Sequence, residues 1–304
     1  MKKEMTWWSL QMHSAFLQEI KDDIKSGQLD TVIKLARNNN GAIDKIRFGD
    51  NQDTCLLKIT RRKPAQLLSD FKKLLKAGVD PNETNKFGFT PLLAAARAPH
   101  GGSFEPGTES AKLAVSYSET LTKYGADVNQ CDEQGMSPLS WAAWGGHAEL
   151  VDFLISKGAT QEVDPRHKEA ISPLHYAAIK GHFDILDAMV NKHGFDVNYF
   201  SNQTAMHFVV QNENYEAAEK LIELGAQIDI QDEMTGRTVR DMLFVKGEER
   251  LIDKFDELET ERQKEAHYRR QNADEIRAKE EMEQVKEFRQ SISTQRRFVM
   301  KRRR

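Results

Sequence analysis

Nine histidines and two cysteines give this 304-residue chain the side chains that bind transition metals and act as nucleophiles. Their spacing matches no HExxH, paired CxxC, P-loop, GxGxxG or GxSxG motif in the structural context that such a site needs. Cys55 and Cys131 have no motif partner that would mark a reactive thiol. Acidic residues are abundant throughout, so no pair of carboxylates stands out as a general acid and base. The sequence therefore predicts no catalytic residue, no cofactor and no metal site.

Composition narrows the class of protein. Hydrophobic residues make up 39% of the chain and charged residues 30%, which is typical of a folded body with a charged appendage. The formal net charge of -3 argues against a surface that coats nucleic acid or anionic membrane as a whole. Two cysteines cannot form a disulfide framework, and no apolar run approaches the ~18 residues of a membrane span. We expect a soluble, cytoplasmic protein.

An internal repeat organises the middle of the chain. The sequence SPLSWAA at residues 137–143 returns as SPLHYAA at residues 172–178, and related copies begin at Thr90 and Thr204. A short unit of this kind cannot bury its apolar face alone. Stacking on neighbouring units supplies the core, so an elongated array is predicted.

Each repeat is predicted to contain two helices. Ser137 caps the first helix, and Pro138 occupies the first helical position, where an N–H is not needed. The paired alanines that follow allow the two helices to approach closely. Leu150 and Leu154 lie at helical spacing in the second helix, which is predicted to end at Gly158 in a left-handed cap.

These elements resemble the ankyrin-repeat family. The resemblance implies an all-α fold, a solenoid of helix-turn-helix units. We expect an N-terminal helical cap over residues 1–48, an array of about five repeats over residues 49–258 with an insertion near 98–111, and a charged helical tail over residues 259–304. Family members bind other proteins, which predicts a non-enzymatic interaction module or adaptor.

The family also suggests a role for the histidines. His175 and His207 stand at the motif's own histidine position, where a ring nitrogen usually bonds to the backbone of an adjacent turn. His147 and His182 follow the glycine that breaks the first helix. The resemblance therefore implies structural histidines rather than metal ligands.

The second full repeat is 14 residues too long, since Thr90 and Ser137 are 47 residues apart rather than 33. The excess is rich in Gly and Pro around residues 98–107, which predicts a protruding loop. The turn between the third and fourth repeats is also lengthened, at residues 163–169. Such insertions either decorate a binding edge or are simply tolerated at the surface.

Partners of the family commonly contact the turn tips and the exposed end of the first helix. The repeat register assigns these places to Lys86, Phe87, Phe89, Arg97, Glu133, Gln134, Met136, Trp144, Ile179, Lys180, Phe200, Ser201, Gln203, Gln211 and Asn212. Phe87, Phe89 and Phe200 have an alternative position, folded between neighbouring turns. The same register predicts that Trp141, Tyr176 and Phe208 face the second helix and belong to the core.

The last part of the chain is highly charged. Residues 246–304 hold 17 Lys or Arg and 14 Asp or Glu, with no proline and a single glycine, Gly247. Glu259 stands where other repeats have the glycine that ends the second helix, so one long helix is predicted from near Glu248. The apolar residues of this segment keep no strict heptad, so a two-stranded coiled coil is only weakly encoded and a monomer is expected. Folding back onto the repeats is an equal alternative.

The extreme C-terminus has six basic residues, which are Arg296, Arg297, Lys301, Arg302, Arg303 and Arg304. They could bind nucleic acid, an anionic lipid surface or a nuclear import receptor, or form a plain basic tail. The glutamate-rich run at 280–283 resembles the translocation signals of type IV secreted bacterial effectors, which would place the protein in host cytosol or nucleus. Binding of phosphates through the tail would weaken steeply with salt, whereas an apolar interface would not.

Overall fold

The computed structural model describes residue 22 and residues 29–38, 46–62, 68–97, 107–167, 170–201 and 203–270. The chain divides into a first unit, residues 1–242, and a second unit, residues 243–304. In the described ranges the regular elements are helices, with isolated β-bridges between Phe48 and Asp53 and between Gln231 and Thr238. None of the described helices combines the length and the apolar character that crossing a membrane requires.

The helices follow one another in pairs joined by turns. They are α1 (Asp30–Asn38), α2 (Cys55–Arg62), α3 (Leu68–Lys76), α4 (Pro91–Ala96), α5 (Glu109–Lys123), α6 (Pro138–Trp144), α7 (Ala148–Ser156), α8 (Pro173–Lys180), α9 (Phe183–Asp187), α10 (Ala205–Gln211), α11 (Tyr215–Glu223), α12 (Val239–Lys246) and α13 (249–270). A π-helical turn, Ala188–Lys192, continues α9. The pairs α2/α3, α4/α5, α6/α7, α8/α9 and α10/α11 follow one another as five helix pairs, each of which we call a repeat.

Side-chain caps explain where the first helices begin. The Thr90 hydroxyl accepts a hydrogen bond from the backbone N–H of Leu93 at 3.2 Å. Ser137 does the same for Ser140 at 3.1 Å, so the predicted caps are confirmed. Removing such a cap typically costs about 1 kcal/mol.

The repeats stack in chain order. First helices α2, α4, α6, α8 and α10 each contact the next in the series, and second helices α1, α3, α5, α7 and α9 do the same. The core runs along the interface between these two rows, where Leu93, Leu139 and Leu174 are completely buried. Each repeat therefore buries its apolar face mainly against its neighbours, as expected of a nearly one-dimensional array.

Asparagine side chains link the turns of successive repeats. Asn129 donates from Nδ2 to the carbonyl of Gly158 at 3.1 Å and accepts at Oδ1 from the N–H of Thr160 at 3.2 Å. Asn82 and Asn198 make the same pair of bonds to the repeats that follow them. These amides satisfy backbone groups just beyond the second helices, which would otherwise lack partners.

The long second repeat differs from the sequence prediction. Glu109, the first residue of α5, lies 19 positions after Thr90, whereas Ala148 of α7 lies 11 positions after Ser137. Helix α5 has 15 residues and α7 has nine. Eight of the 14 extra residues thus precede the second helix, and six lengthen it. The prediction that all 14 extra residues form a loop is therefore wrong. Residues 98–106 lie outside the described ranges.

The lengthened helix is packed rather than protruding. Tyr117 of α5 is fully buried, and its ring meets that of Phe71 from α3 edge-on at a centroid distance of 4.8 Å. Ala114 and Leu121 of the same helix are also fully buried. Burial raises the pKa of the Tyr117 phenol well above its usual value. The insertion therefore adds buried surface as well as chain length.

In the second unit, α13 continues through Glu259 without a break, which confirms the predicted absence of a helix stop there. Arg269 and Glu265, four positions apart, are joined at 3.4 Å. Such an exposed pair contributes little to stability. The run at 280–283 and the basic C-terminal residues lie outside the described ranges, and the roles predicted for them remain predictions.

Candidate functional site

Aromatic side chains recur on the first helices of the array. Trp141 and Trp144 lie on α6, Tyr176 on α8 and Phe208 on α10, and all four are half-buried. We call these four residues the aromatic stripe. Trp141, Tyr176 and Phe208, which were predicted to face the core, keep partial exposure. Trp141 nevertheless packs against the buried cluster of Leu57, Phe89, Leu93 and Ala94, so the expected core contact is present for this residue.

The helical period explains this exposure. In α6, Leu139, Ala142 and Ala143 are completely buried, so they form the face that contacts the rest of the array. Trp141 and Trp144 are three positions apart and share another face of the same helix. Tyr176 and Phe208 occupy the place of Trp141 in their own repeats, four positions after the capping Ser or Thr. The stripe is therefore a regular consequence of the repeat.

A cleft of about 260 Å³ lies next to one end of the stripe. It is lined by Asn51, Arg61, Phe87, Phe89, Arg97, Asp132, Glu133, Gln134 and Trp141. These residues come from three consecutive repeats, so only stacking brings them together. Five of them, Phe87, Phe89, Arg97, Glu133 and Gln134, were predicted from the sequence to bind a partner.

Two aromatic rings and two guanidinium groups shape the cleft. The rings of Phe89 and Trp141 meet edge-on with centroids 5.8 Å apart, and the indole N–H of Trp141 donates to Asp132 Oδ2 at 3.0 Å. The Arg97 guanidinium lies 4.8 Å from the Trp141 centroid and 5.8 Å from that of Phe89. Arg61 lies 5.9 Å from Phe89 on the side of the preceding repeat. Both arginines are thus within cation–π range of the aromatic rings.

The carboxylate of Asp132 is structural. It is 3% exposed, and its Oδ1 accepts backbone N–H bonds from Gln134 at 2.9 Å and Met136 at 3.0 Å. Asn85 holds the preceding turn in the same way by accepting from the N–H of Phe89 at 3.0 Å. With its oxygens engaged by three donors, Asp132 shapes the turn instead of providing a free charge.

Three residues predicted to contact a partner are buried, so their expected exposure is corrected. Phe89 and Met136 are each 7% exposed, because the side chains of Asn85 and Asp132 bind their backbone and draw the turns inward. Gln203 is 9% exposed, and its Nε2 donates to the buried Asp232 at 2.8 Å. Phe89 still forms part of the cleft wall.

The remaining predicted residues keep exposed or half-buried positions. They are Lys86, Phe87, Arg97, Glu133, Gln134, Trp144, Ile179, Lys180, Phe200, Ser201, Gln211 and Asn212. Lys86 lies over the ring of Phe87 at 4.9 Å, at the tip of one turn. Phe200, Ser201 and Gln211 do not line the cleft.

A second aromatic contact continues the stripe. The ring of Trp144 meets that of Tyr176 edge-on at a centroid distance of 5.7 Å. Lys180, which is exposed at the end of α8, places its ammonium 3.8 Å from the centroid of Trp144. Each tryptophan of α6 therefore carries a cation from a neighbouring repeat.

The histidines of the repeat bond to backbone and capping groups. His175 lies with Nδ1 2.7 Å from the hydroxyl of Ser172 and Nε2 3.0 Å from the carbonyl of Gln203. His147 Nε2 lies 2.9 Å from the carbonyl of Ala111. Burial lowers the pKa of His175 to about 4, so its ring is neutral at pH 7. The predicted ring-to-backbone contacts are therefore present for His147 and His175.

We expect protein purified without an affinity tag to retain no stoichiometric zinc, iron or copper. Within the described ranges, no three His, Cys, Asp or Glu side chains cluster as a metal site would require. In addition, both ring nitrogens of His175 are engaged by protein atoms. Elemental analysis after dialysis against a chelator tests this, and one retained ion per chain would contradict it.

Comparison with known proteins agrees with this architecture. A family model described as ankyrin repeats matches in three copies, over residues 65–165 and 159–232. Neurogenic locus notch homolog protein 1 and protein 2 of Homo sapiens are each 31% identical to this chain over a region that covers 32% of it. The corresponding protein 1 of Xenopus tropicalis is 30% identical over the same share. The chain spans only about 5% of the length of these curated relatives.

Proposed function

Because the chain belongs to the ankyrin-repeat family, we propose that it binds a partner protein through the aromatic stripe and the adjacent cleft. An ankyrin array is a protein-protein interaction module, and nothing in the described ranges points to catalysis. The proposal therefore concerns where the partner binds. The observation that carries it is the row of half-buried aromatic rings on successive first helices.

The residue types of this surface support the proposal. Trp, Tyr and Arg contribute most to the energetics of protein interfaces, and the stripe and cleft contain all three. Trp141, Trp144 and Tyr176 retain exposed ring surface that a partner would cover. The cleft, at about 260 Å³, is smaller than the roughly 300–1,000 Å³ of typical small-molecule pockets. Its size suits one anchoring side chain of a protein better than a cofactor.

We expect Trp144→Ala to weaken partner binding by about 2 kcal/mol or more while leaving the melting temperature nearly unchanged. The indole is half-buried and contacts Tyr176 and Lys180, so its loss removes contact surface without opening the core. A partner captured by the full chain provides the ligand, and calorimetry measures its affinity for each variant.

Phe153→Ala is the matched control for this substitution. Phe153 is also half-buried, and the ammonium of Lys157 lies 5.6 Å from the centroid of its ring. Unlike Trp144, it lies on a second helix, α7. Partner affinity should be unaffected by this change. Equal losses for Trp144 and Phe153, or unfolding of the Trp144 variant, would argue against the proposed surface.

Two narrower proposals accompany this function. The array acts as a monomer, since the apolar residues of the charged tail keep no strict heptad for pairing. It acts in the cytoplasm, since two cysteines in 304 residues are typical of a reducing compartment.

A further inference from the structure

Each tryptophan of α6 contacts a cation from an adjacent repeat, one from the preceding repeat and one from the following repeat. Arg97, at the end of α4 in the preceding repeat, lies 4.8 Å from the Trp141 centroid. Lys180, at the end of α8 in the following repeat, lies 3.8 Å from that of Trp144. Because Trp141 and Trp144 are one helical turn apart, the surface alternates cations and indole rings across three repeats.

The two buried carboxylates beside this surface are already bonded. Asp132 is 3% exposed and is occupied by backbone and indole donors. Asp53 is equally buried and pairs with Arg61 at 3.2 Å. Glu133 is an exposed carboxylate on the cleft wall. Asp184, four positions after Lys180, and Glu149, five positions after Trp144, are also exposed. Within the described ranges, Lys180 forms no ion pair with a carboxylate, so its contact with Trp144 leaves the ammonium able to bind an anion.

We propose that this surface recognises an acidic segment of a partner protein. Asp or Glu carboxylates of the segment bind the cations at Arg97 and Lys180, and an apolar side chain between them covers the indole rings of Trp141 and Trp144. The proposal rests on the proposed function of the same surface and adds the chemistry of the partner.

The cation–π contacts explain why an acidic segment fits. They hold the Arg97 and Lys180 head groups over the rings before a ligand arrives, which reduces the ordering cost on binding. Covering the rings would also exclude water from the cations and strengthen their bonds to carboxylates. The positive charge is local, since the whole chain has a formal net charge of -3. Charge complementarity thus favours an acidic ligand at this place.

Selection from a displayed library of random 12-residue peptides on the full-length chain tests the proposal. Peptides that combine Asp or Glu with Trp, Phe, Leu or Ile should be enriched. For the tightest of these peptides, Arg97→Glu and Lys180→Glu should each lower affinity on the order of tenfold, because each change replaces attraction by repulsion. Lys180→Gln, which removes the charge without reversing it, should have a smaller effect in the same direction.

Lys157→Glu is the matched control, since Lys157 also lies over an aromatic ring, that of Phe153, but on a second helix. The Lys157→Glu variant should bind the peptide with the same affinity as the native chain. Enrichment of neutral or basic peptides, or equal losses for Lys157→Glu and Lys180→Glu, would overturn the acidic-segment proposal.

The Trp144→Ala variant distinguishes failure of the acidic-segment proposal from failure of the proposed binding surface. If Trp144→Ala weakens peptide binding while Arg97→Glu and Lys180→Glu do not, the surface is right and the acidic chemistry is wrong. If neither the Trp144 change nor the charge reversals alter binding, the surface itself is wrong. Each variant is first compared with the native chain by its thermal unfolding, and a variant that unfolds is replaced by its milder form, Lys180→Gln or Trp144→Phe.

Discussion

Gly135→Ala should lower the free energy of unfolding by about 3 kcal/mol. A Cβ atom at this position would lie 2.6 Å from the Cβ atoms of both His167 and Ala170 in the next turn. Gly135 also has a φ of +79°, a left-handed conformation that costs an L-residue roughly 1–2 kcal/mol. Overpacking adds typically 1–3 kcal/mol, because the packed turns must move apart. Urea unfolding followed by circular dichroism measures the loss.

Gly158→Ala is the control that separates crowding from backbone strain. Gly158 has a φ of +94°, but a Cβ atom there would have no neighbour within 4 Å. Its replacement should therefore cost only the strain, about 1–2 kcal/mol. If the two variants lose the same stability, the turns at Gly135 are not as tightly packed as the structure indicates.

The same turn connects stability to the candidate site. Gly135 lies between Gln134, which lines the cleft, and Met136, whose N–H is held by Asp132. Any displacement of this turn also moves the cleft wall. The turn stacking that stabilises the array therefore also sets the geometry of the proposed binding surface.

The helices and their stacking could be predicted from the sequence because their signals are local. Thr90 and Ser137 cap the helices that follow them, and Gly158 ends a second helix with a left-handed conformation. These features depend on a few neighbouring residues. The repeat then requires that the same unit recurs and that neighbours cover each other's apolar faces.

The buried turn residues could not be predicted in this way. Phe89 and Met136 are drawn inward because the side chains of Asn85 and Asp132 accept their backbone N–H groups. An aromatic or methionine residue in a polar turn gives no sign of whether it faces a partner or the core. The orientation depends on hydrogen bonds formed only when the turn is folded.

Two contributors to the surface could have been found by a stricter use of the register. Trp141 is three positions before Trp144, so one helix face must hold both. Arg61 lies seven positions after Thr54, the same place that Arg97 holds relative to Thr90. Cys55 stands in this repeat where Pro91 stands in the next, so the two repeats are less alike in sequence than the later ones.

The sequence also contains a local signal for the residue at which the second helix of the long repeat begins. Thr108 caps α5 by accepting from the N–H of Ala111 at 3.3 Å, and Glu109 follows in the first turn, where an acidic residue is favourable. The glycines and prolines before Thr108 favour a loop only up to that residue. The cap shows where the loop sequence ends and the helix begins.

We expect the protein to lose about 3 kcal/mol of stability through His175 alone as the pH falls from 6.5 to below 4. The folded pKa of this ring is lowered to about 4, mainly by burial, from an ordinary value of 6.5. Below pH 6.5 the unfolded chain binds a proton that the folded chain excludes, so acid favours unfolding. Above pH 6.5 both states are neutral, and the contribution disappears. The magnitude follows from about 1.4 kcal/mol for each unit of pKa difference.

Urea unfolding measured at several pH values between 4.5 and 7.5 tests this expectation, with His175→Gln as the comparison. The variant should be less stable at pH 7, because the ring bonds to Ser172 and to the carbonyl of Gln203 are lost or weakened. Its stability should nevertheless fall less steeply toward acid than that of the native chain. His207 retains its own dependence in both proteins, since burial lowers its pKa as well. Parallel pH profiles for the two proteins would show that His175 does not control the acid response, and that its ring is protonated at little cost in the folded state.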